Sequence, residues 1–201
     1  MLPVQVTLAH FNMKLDKRYI ECDETYRAVE EEGKFFIEGY ALKFNTRSNP
    51  IMGKFTETID ARALDNADMD DVLGRINHSN DMQNVFARSG VNLVLTVDDI
   101  GLFYRAELDG ESPRDMQLYR DMKRGIISKS SFAMAVREGG DKWERRDGQV
   151  HRTVLDITKI GDIAPVHKPA YDDTSAGVSE RSLESYEKFE KEDKKESKND
   201  E

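Results

Sequence analysis

Apolar and polar residues alternate in short runs through most of the chain, the period of extended strands rather than helices. "KFFIEGYALKF" (34–44) puts Phe36, Tyr40, Leu42 and Phe44 on one face and Phe35 and Ile37 on the other, which predicts a strand covered on both sides. "KFTETIDARAL" predicts a short strand running into a turn or helix start near Asp60. "VLGRINHSN" (72–80) predicts a short strand whose polar end carries His78. "VNLVLTVDDIGLFYRAEL" predicts a hairpin. Val91, Leu93, Leu95 and Val97 share a face, "DDIG" turns the chain, and Leu102, Tyr104, Ala106 and Leu108 continue on the return strand. "NTRSNPIMG" is a loop, and "DNADMDD" an acidic loop or short helix.

One stretch breaks the strand period. "DGESPRDMQLYRDMKRG" predicts a helix with Ser112 as N-cap, Pro113 as its first residue and Asp115 completing a capping box. Met116, Leu118, Tyr119 and Met122 form its apolar stripe, and Gly125 stops it. "GIISKSSFAM" (125–134) follows. In an extended chain Phe132, Met134 and Val136 share a face with Ser128 and Ser130, while Ser131, Ala133 and Ala135 share the other. The large side chains face a core. The small-residue face leaves room for another chain to lie close, which a nucleophilic serine needs and an ordinary covered sheet face also provides. Gly139-Gly140 and Asp147-Gly148 mark turns, and "TVLDITKIGDIAPVHKPAY" is β-rich up to its prolines. The pattern predicts an α+β chain, mostly β: a compact, partly closed β-barrel flanked by a few helices.

The ends differ. Residues 1–33 form a mixed N-terminal segment in which "PVQVTLAHF" could add a strand; residues 34–175 hold the strand pattern; residues 176–201 are dominated by Glu, Lys, Asp and Ser. Such a tail buries too little apolar surface to offset its ordering entropy, so disorder or partial helix is expected. These ends also lower the hydrophobic fraction to 38%. A net charge of −9 disfavours general nucleic-acid binding, which needs a basic surface. No run is long and apolar enough for a membrane span, and no secretory signal is visible. The single cysteine, Cys22, rules out an intramolecular disulfide and a Cys-rich zinc site. Its acidic neighbours do not favour a thiolate.

A serine needs a base. Of four histidines, His10 lies in the mixed N-terminal segment and His151 follows a turn and is expected on the surface. His167 sits between Pro165 and Pro169, and His78 ends a strand where a side chain can face a cleft. No HExxH pair, GxSxG elbow or phosphate-binding glycine loop is present, and no metal or cofactor is expected.

The chain resembles the prohead protease family of tailed bacteriophages, serine proteases of capsid maturation. "FFIEGYALKF", "FTETIDARAL", "INHSN", "TVDDIGLFYRAEL", "RGIISKSSFAM" and "KIGDIAPVHKPAY" are similar to the family's motifs and fall in its order. The resemblance implies a herpesvirus-protease-like fold, His78 as the catalytic base and Ser131 as the nucleophile. It places the family's acidic position on Asp162, with Asp156 nearby as the alternative. Ser128 and Ser130 are then structural neighbours satisfied by local hydrogen bonds. Two motifs depart from the family: "SFAM" stands for S-F-G-F, and "DIA" for E-V-S. The implied substrates and partners are scaffold, the N-terminal region of the major capsid protein, and the protease itself, inside the procapsid in the host cytoplasm. A homo-oligomer is left open, and neither nucleic acid nor membrane is an expected partner. Competing readings are a non-enzymatic assembly or scaffolding protein and a metal-dependent hydrolase using His78, His151 or His167.

Overall fold

A computed structural model describes residues 15–21, 24–167 and 178–199. The "PVQVTLAHF" strand, His10 and Cys22 lie outside the described residues. Among the described residues the strands fall into three sheets, not one closed barrel. The five-stranded sheet has the order β1 (Asp16–Glu21), β9 (Lys129–Val136), β12 (Ile157–Val166), β5 (Leu73–Arg75) and β6 (Val85–Arg88). Its pairs are antiparallel except β12 with β5. The four-stranded sheet runs β2 (Arg27–Glu31), β3 (Lys34–Lys43), β8 (Gly101–Leu108) and β7 (Leu93–Val97), all antiparallel. The three-stranded sheet joins β10 (Asp141–Arg146), β11 (Gln149–Val154) and β4 (Phe55–Ile59).

Strand β3 has the two-sided burial its sequence predicts, with Ile37, Ala41 and Leu42 fully buried. The hairpin β7–β8 forms as expected, but its two arms differ. Leu102, Tyr104, Ala106 and Leu108 are all buried on β8, an inner strand. Of the four positions expected on the other arm only Leu93 is buried; Val97, on the edge strand β7, and Val91, in the turn before it, are exposed. An edge strand has one neighbour and finds cover only where another element reaches it.

Helix α1 (Pro113–Lys123) has Ser112 at its N-cap, accepting from the Asp115 N–H, and Gly125 in the left-handed region beyond its end at φ 73°. Half of the capping box forms. The Asp115 carboxylate turns away to accept from the Asp109 N–H (3.1 Å) and Arg114 (2.6 Å), while the Ser112 N–H goes to the Asp109 carbonyl. Leu118, Tyr119 and Met122 are buried, and Tyr119 meets Phe35 edge-on at 5.1 Å between ring centres. The tail is helical over α2 (Glu180–Asn199) because one side of it finds partners on the three-stranded sheet. Tyr186 stacks on Phe55, and Arg145 of β10 binds Glu190 (2.7 Å) and Asp193 (2.8 Å).

Candidate active site

On β9 the pattern works as its period predicts. Phe132 and Met134 enter the main core, and Ser131 and Ala133 lie on the opposite face. Ser131 pairs with Tyr19 of β1 on one side and Ala164 of β12 on the other. The strand is enclosed by a neighbour at each edge, so Ser131 is 0% exposed.

Asp162 reaches the serine face through a break in register. Ile160 pairs with Met134, but the next paired residue is Asp162, opposite Ala133. Gly161 is the extra residue of a bulge. In unbroken register Asp162 would lie opposite Phe132 and point into the core; the inserted residue turns it to the face of Ser131. Glycine suits the position, because a Cβ there would come within 2.2 Å of the Leu15 side chain.

His78 comes from the 3-10 turn Ile76–His78 at the end of β5, next to β12. Asn77 and His78 both have left-handed backbones, φ 53° and 55°, an uncommon conformation for residues with a Cβ. The Ser79 N–H closes the turn on the Ile76 carbonyl, and the Asn77 side chain meets the ring of His167, which is exposed. This tight reversal aims the imidazole back over the sheet.

The three side chains form a line. Asp162 Oδ1 lies 2.5 Å from His78 Nδ1, and His78 Nε2 lies 2.5 Å from Ser131 Oγ. His78 is 8% exposed and Asp162 5%. The other carboxylate oxygen of Asp162 faces the Arg75 guanidinium at 3.7 Å, and Arg75 is itself held by Asn80. Asp156, the alternative acid, is instead paired with Arg137 at 2.7 Å. A buried carboxylate, imidazole and hydroxyl joined in that order can move a proton from the hydroxyl to the ring while the carboxylate fixes the ring's tautomer.

The other sequence candidates fall elsewhere. Ser128 is exposed. Ser130 faces away from His78, and its Oγ is buried without a hydrogen-bond partner, so the expected local bond is not made. His151 corrects a second expectation: it is 0% exposed, because β11 is the middle strand of its sheet. Its Nδ1 meets Thr56 Oγ1 at 2.8 Å, and Thr56 also accepts from Arg47. Burial, with Arg146 and Arg47 nearby, pushes the ring below the usual imidazole value of 6.5. Among the described residues no cluster of three or more His, Cys, Asp or Glu could hold a metal ion.

Two features around the site escape sequence reasoning. The Arg18 carbonyl of β1 accepts from Ser131 Oγ at 2.7 Å. On the other face of β1, Asp16 and Arg18 enter a buried ion cluster with Glu57 and Arg152: Arg18 binds Glu57 at 2.7 and 3.0 Å, and Arg152 binds Glu57 at 2.9 Å. Burial alone would raise the Asp16 carboxyl. Arg18, Arg152 and hydrogen bonds from Ser179 and Ser182 outweigh it and hold Asp16 below the ordinary 3.8. The only local sign of this is a run of charges at the strand period in "DKRYIE".

A family model described as caudovirus prohead serine protease matches residues 23–189. The chain belongs to that family. It is therefore a serine protease of phage capsid maturation, acting in the prohead with capsid proteins as its substrates. The protease is also similar in fold to a solved structure of the bacteriophage T4 capsid assembly protease, gp21. The TM-score is 0.52 at 14% identity, over 79% of this chain and 99% of that one. No curated protein matches the protease sequence.

Proposed function

We propose that Ser131 is the nucleophile, His78 the general acid and base, and Asp162 the residue that orients His78. The observation that carries this reading is the buried Asp162–His78–Ser131 line, with both links at 2.5 Å. Ser131 Oγ attacks the scissile carbonyl carbon as its proton passes to His78 Nε2. The tetrahedral intermediate collapses, the C–N bond breaks, and Nε2–H protonates the leaving amine. Water then attacks the acyl-enzyme, giving its proton to His78, and Ser131 recovers its proton as the acid product leaves. The Asp162 carboxylate holds the ring in place and stabilises the imidazolium.

The substrates in this reading are scaffold and the N-terminal region of the major capsid protein, and the protease also cleaves itself. The charged tail serves as an incorporation signal or a self-cleaved segment. An intact tail in mature particles, read by mass spectrometry, would count against self-cleavage. Co-expression with the capsid protein tests the assignment. Wild type should cleave, Ser131→Ala and His78→Ala should not, and Ser128→Ala and Ser130→Ala should. Loss of cleavage in Ser130→Ala alone would shift the nucleophile by one residue and defeat the reading.

A further inference from the structure

Ser131 Oγ carries one proton and meets two acceptors, His78 Nε2 at 2.5 Å and the Arg18 carbonyl at 2.7 Å. Only one can take it. With Oγ–H turned to His78, the serine is ready for deprotonation. With Oγ–H turned to Arg18, Oγ can only accept from Nε2. The ring must then carry protons on both nitrogens, one toward Ser131 and one toward Asp162. Every hydrogen bond in the line is satisfied in that state, but the base already holds its proton and the serine is idle.

What fixes the Arg18 carbonyl is strand β1, which pairs with β9 along one edge and is held on its other face by Glu57 and the start of α2. Tyr19 pairs with Ser131 and Arg18 with Phe132, so the side chains of Asp16 and Arg18 point to the face away from the nucleophile. There Arg18 grips Glu57. Asp16 accepts from the Ser179 N–H at 2.5 Å and from Ser182 Oγ at 2.6 Å, both at the start of α2. Helix α2 is in turn held by Arg145 through Glu190 and Asp193. Resting on the reading of Ser131 as nucleophile, we propose that the Arg18 main chain is a positioning group that restrains Ser131, and that docking of α2 on Asp16 sets the strength of the restraint. Loosening α2 lets β1 relax; Nε2–H gives its proton to solvent, and the hydroxyl proton turns from the Arg18 carbonyl to His78.

The test is the rate at which a fluorophosphonate modifies Ser131 in the full chain. In that reaction Oγ bonds to phosphorus, fluoride leaves, and the serine proton passes to His78. Ser182→Ala removes one hydrogen bond that holds β1 and should label faster than wild type, roughly fivefold, the equilibrium factor of one net hydrogen bond. Ser182→Thr keeps the hydroxyl and should label at the wild-type rate. Arg145→Ala, an exposed change that loosens α2 from outside, should also label faster and decides the matter if Ser182→Ala does not fold. A β1 that is merely structural would give no such gain. Equal or slower labelling in Ser182→Ala and Arg145→Ala overturns the restraint. No labelling in wild type or any variant instead overturns Ser131 as nucleophile, and the restraint with it.

Discussion

Asp162 owes its place to one inserted residue, and its role should be visible in a single substitution. Asp162→Asn leaves the shape of the line but cannot hold the His78 tautomer with a negative charge. Its kcat should fall by about 10⁴-fold with KM nearly unchanged, whereas Asp156→Asn should stay close to wild type. Steady-state kinetics on a cleavable capsid peptide checks this, and equal losses at the two positions would contradict it. His151 makes a separate claim, about stability. Burial holds its folded pKa below 6.5, so the unfolded chain binds the proton first. The stability it contributes is present above that value and is lost as pH falls through it toward the folded pKa. His151→Gln should therefore show a smaller drop in melting temperature between about pH 7.5 and about pH 5.5 than wild type does. An equal drop would show that His151 is not a source of the acid sensitivity.

At the scale of elements, the site depends on β5 lying flat between β12 and β6, because its end carries His78. Gly74 pairs with Ile163 on one side and Ala87 on the other. A Cβ there would stand 2.8 Å from the Ala87 Cβ and from the Phe86 ring. Gly74→Ala should cost about 1–3 kcal/mol by overpacking and should also cut kcat in the protein that remains folded, because the strand shift displaces His78. Thermal melts with active-site titration separate the two effects; full kcat per folded molecule would contradict the argument. How legible each element was in the sequence follows from what holds it. Strand β3, strand β8 and α1 bury one face or both against nearby apolar residues, and their periods announce them. Strand β1 does not, because it buries Asp16 and Arg18, whose partners Glu57 and Arg152 are distant in sequence. Strand β2 lies in an acidic run for a different reason: none of its residues is buried, and its Arg27 pairs directly with Glu38 of β3 at 2.9 Å. The Gly161 bulge left no mark in the period at all, so the sequence could place Asp162 beside the site only through the family resemblance.

For the whole molecule, β1 and the start of α2 meet on the face of the sheet away from the nucleophile. The ion cluster of Asp16, Arg18, Glu57 and Arg152 joins the five-stranded sheet to the three-stranded one, and Ser179 and Ser182 tie α2 to the same point. Asp16 has a folded pKa below 3.8, so the stability it contributes is present above that value and lost as pH falls through the folded value. In acid titrations followed by circular dichroism, Asp16→Asn should be less stable than wild type at neutral pH, and the gap should close at the acid end. A gap that stays constant with pH would remove Asp16 from the acid response. His78 and Ser131 were readable as candidates because each sits on a recognisable segment; their meeting is a property of the assembled sheets. The most direct test of the central claim is to locate the fluorophosphonate adduct by peptide mass spectrometry in wild type and in His78→Ala. The account predicts a single adduct on Ser131 in wild type and almost none in His78→Ala. An adduct on Ser130 or Ser128, or undiminished labelling without His78, would contradict it.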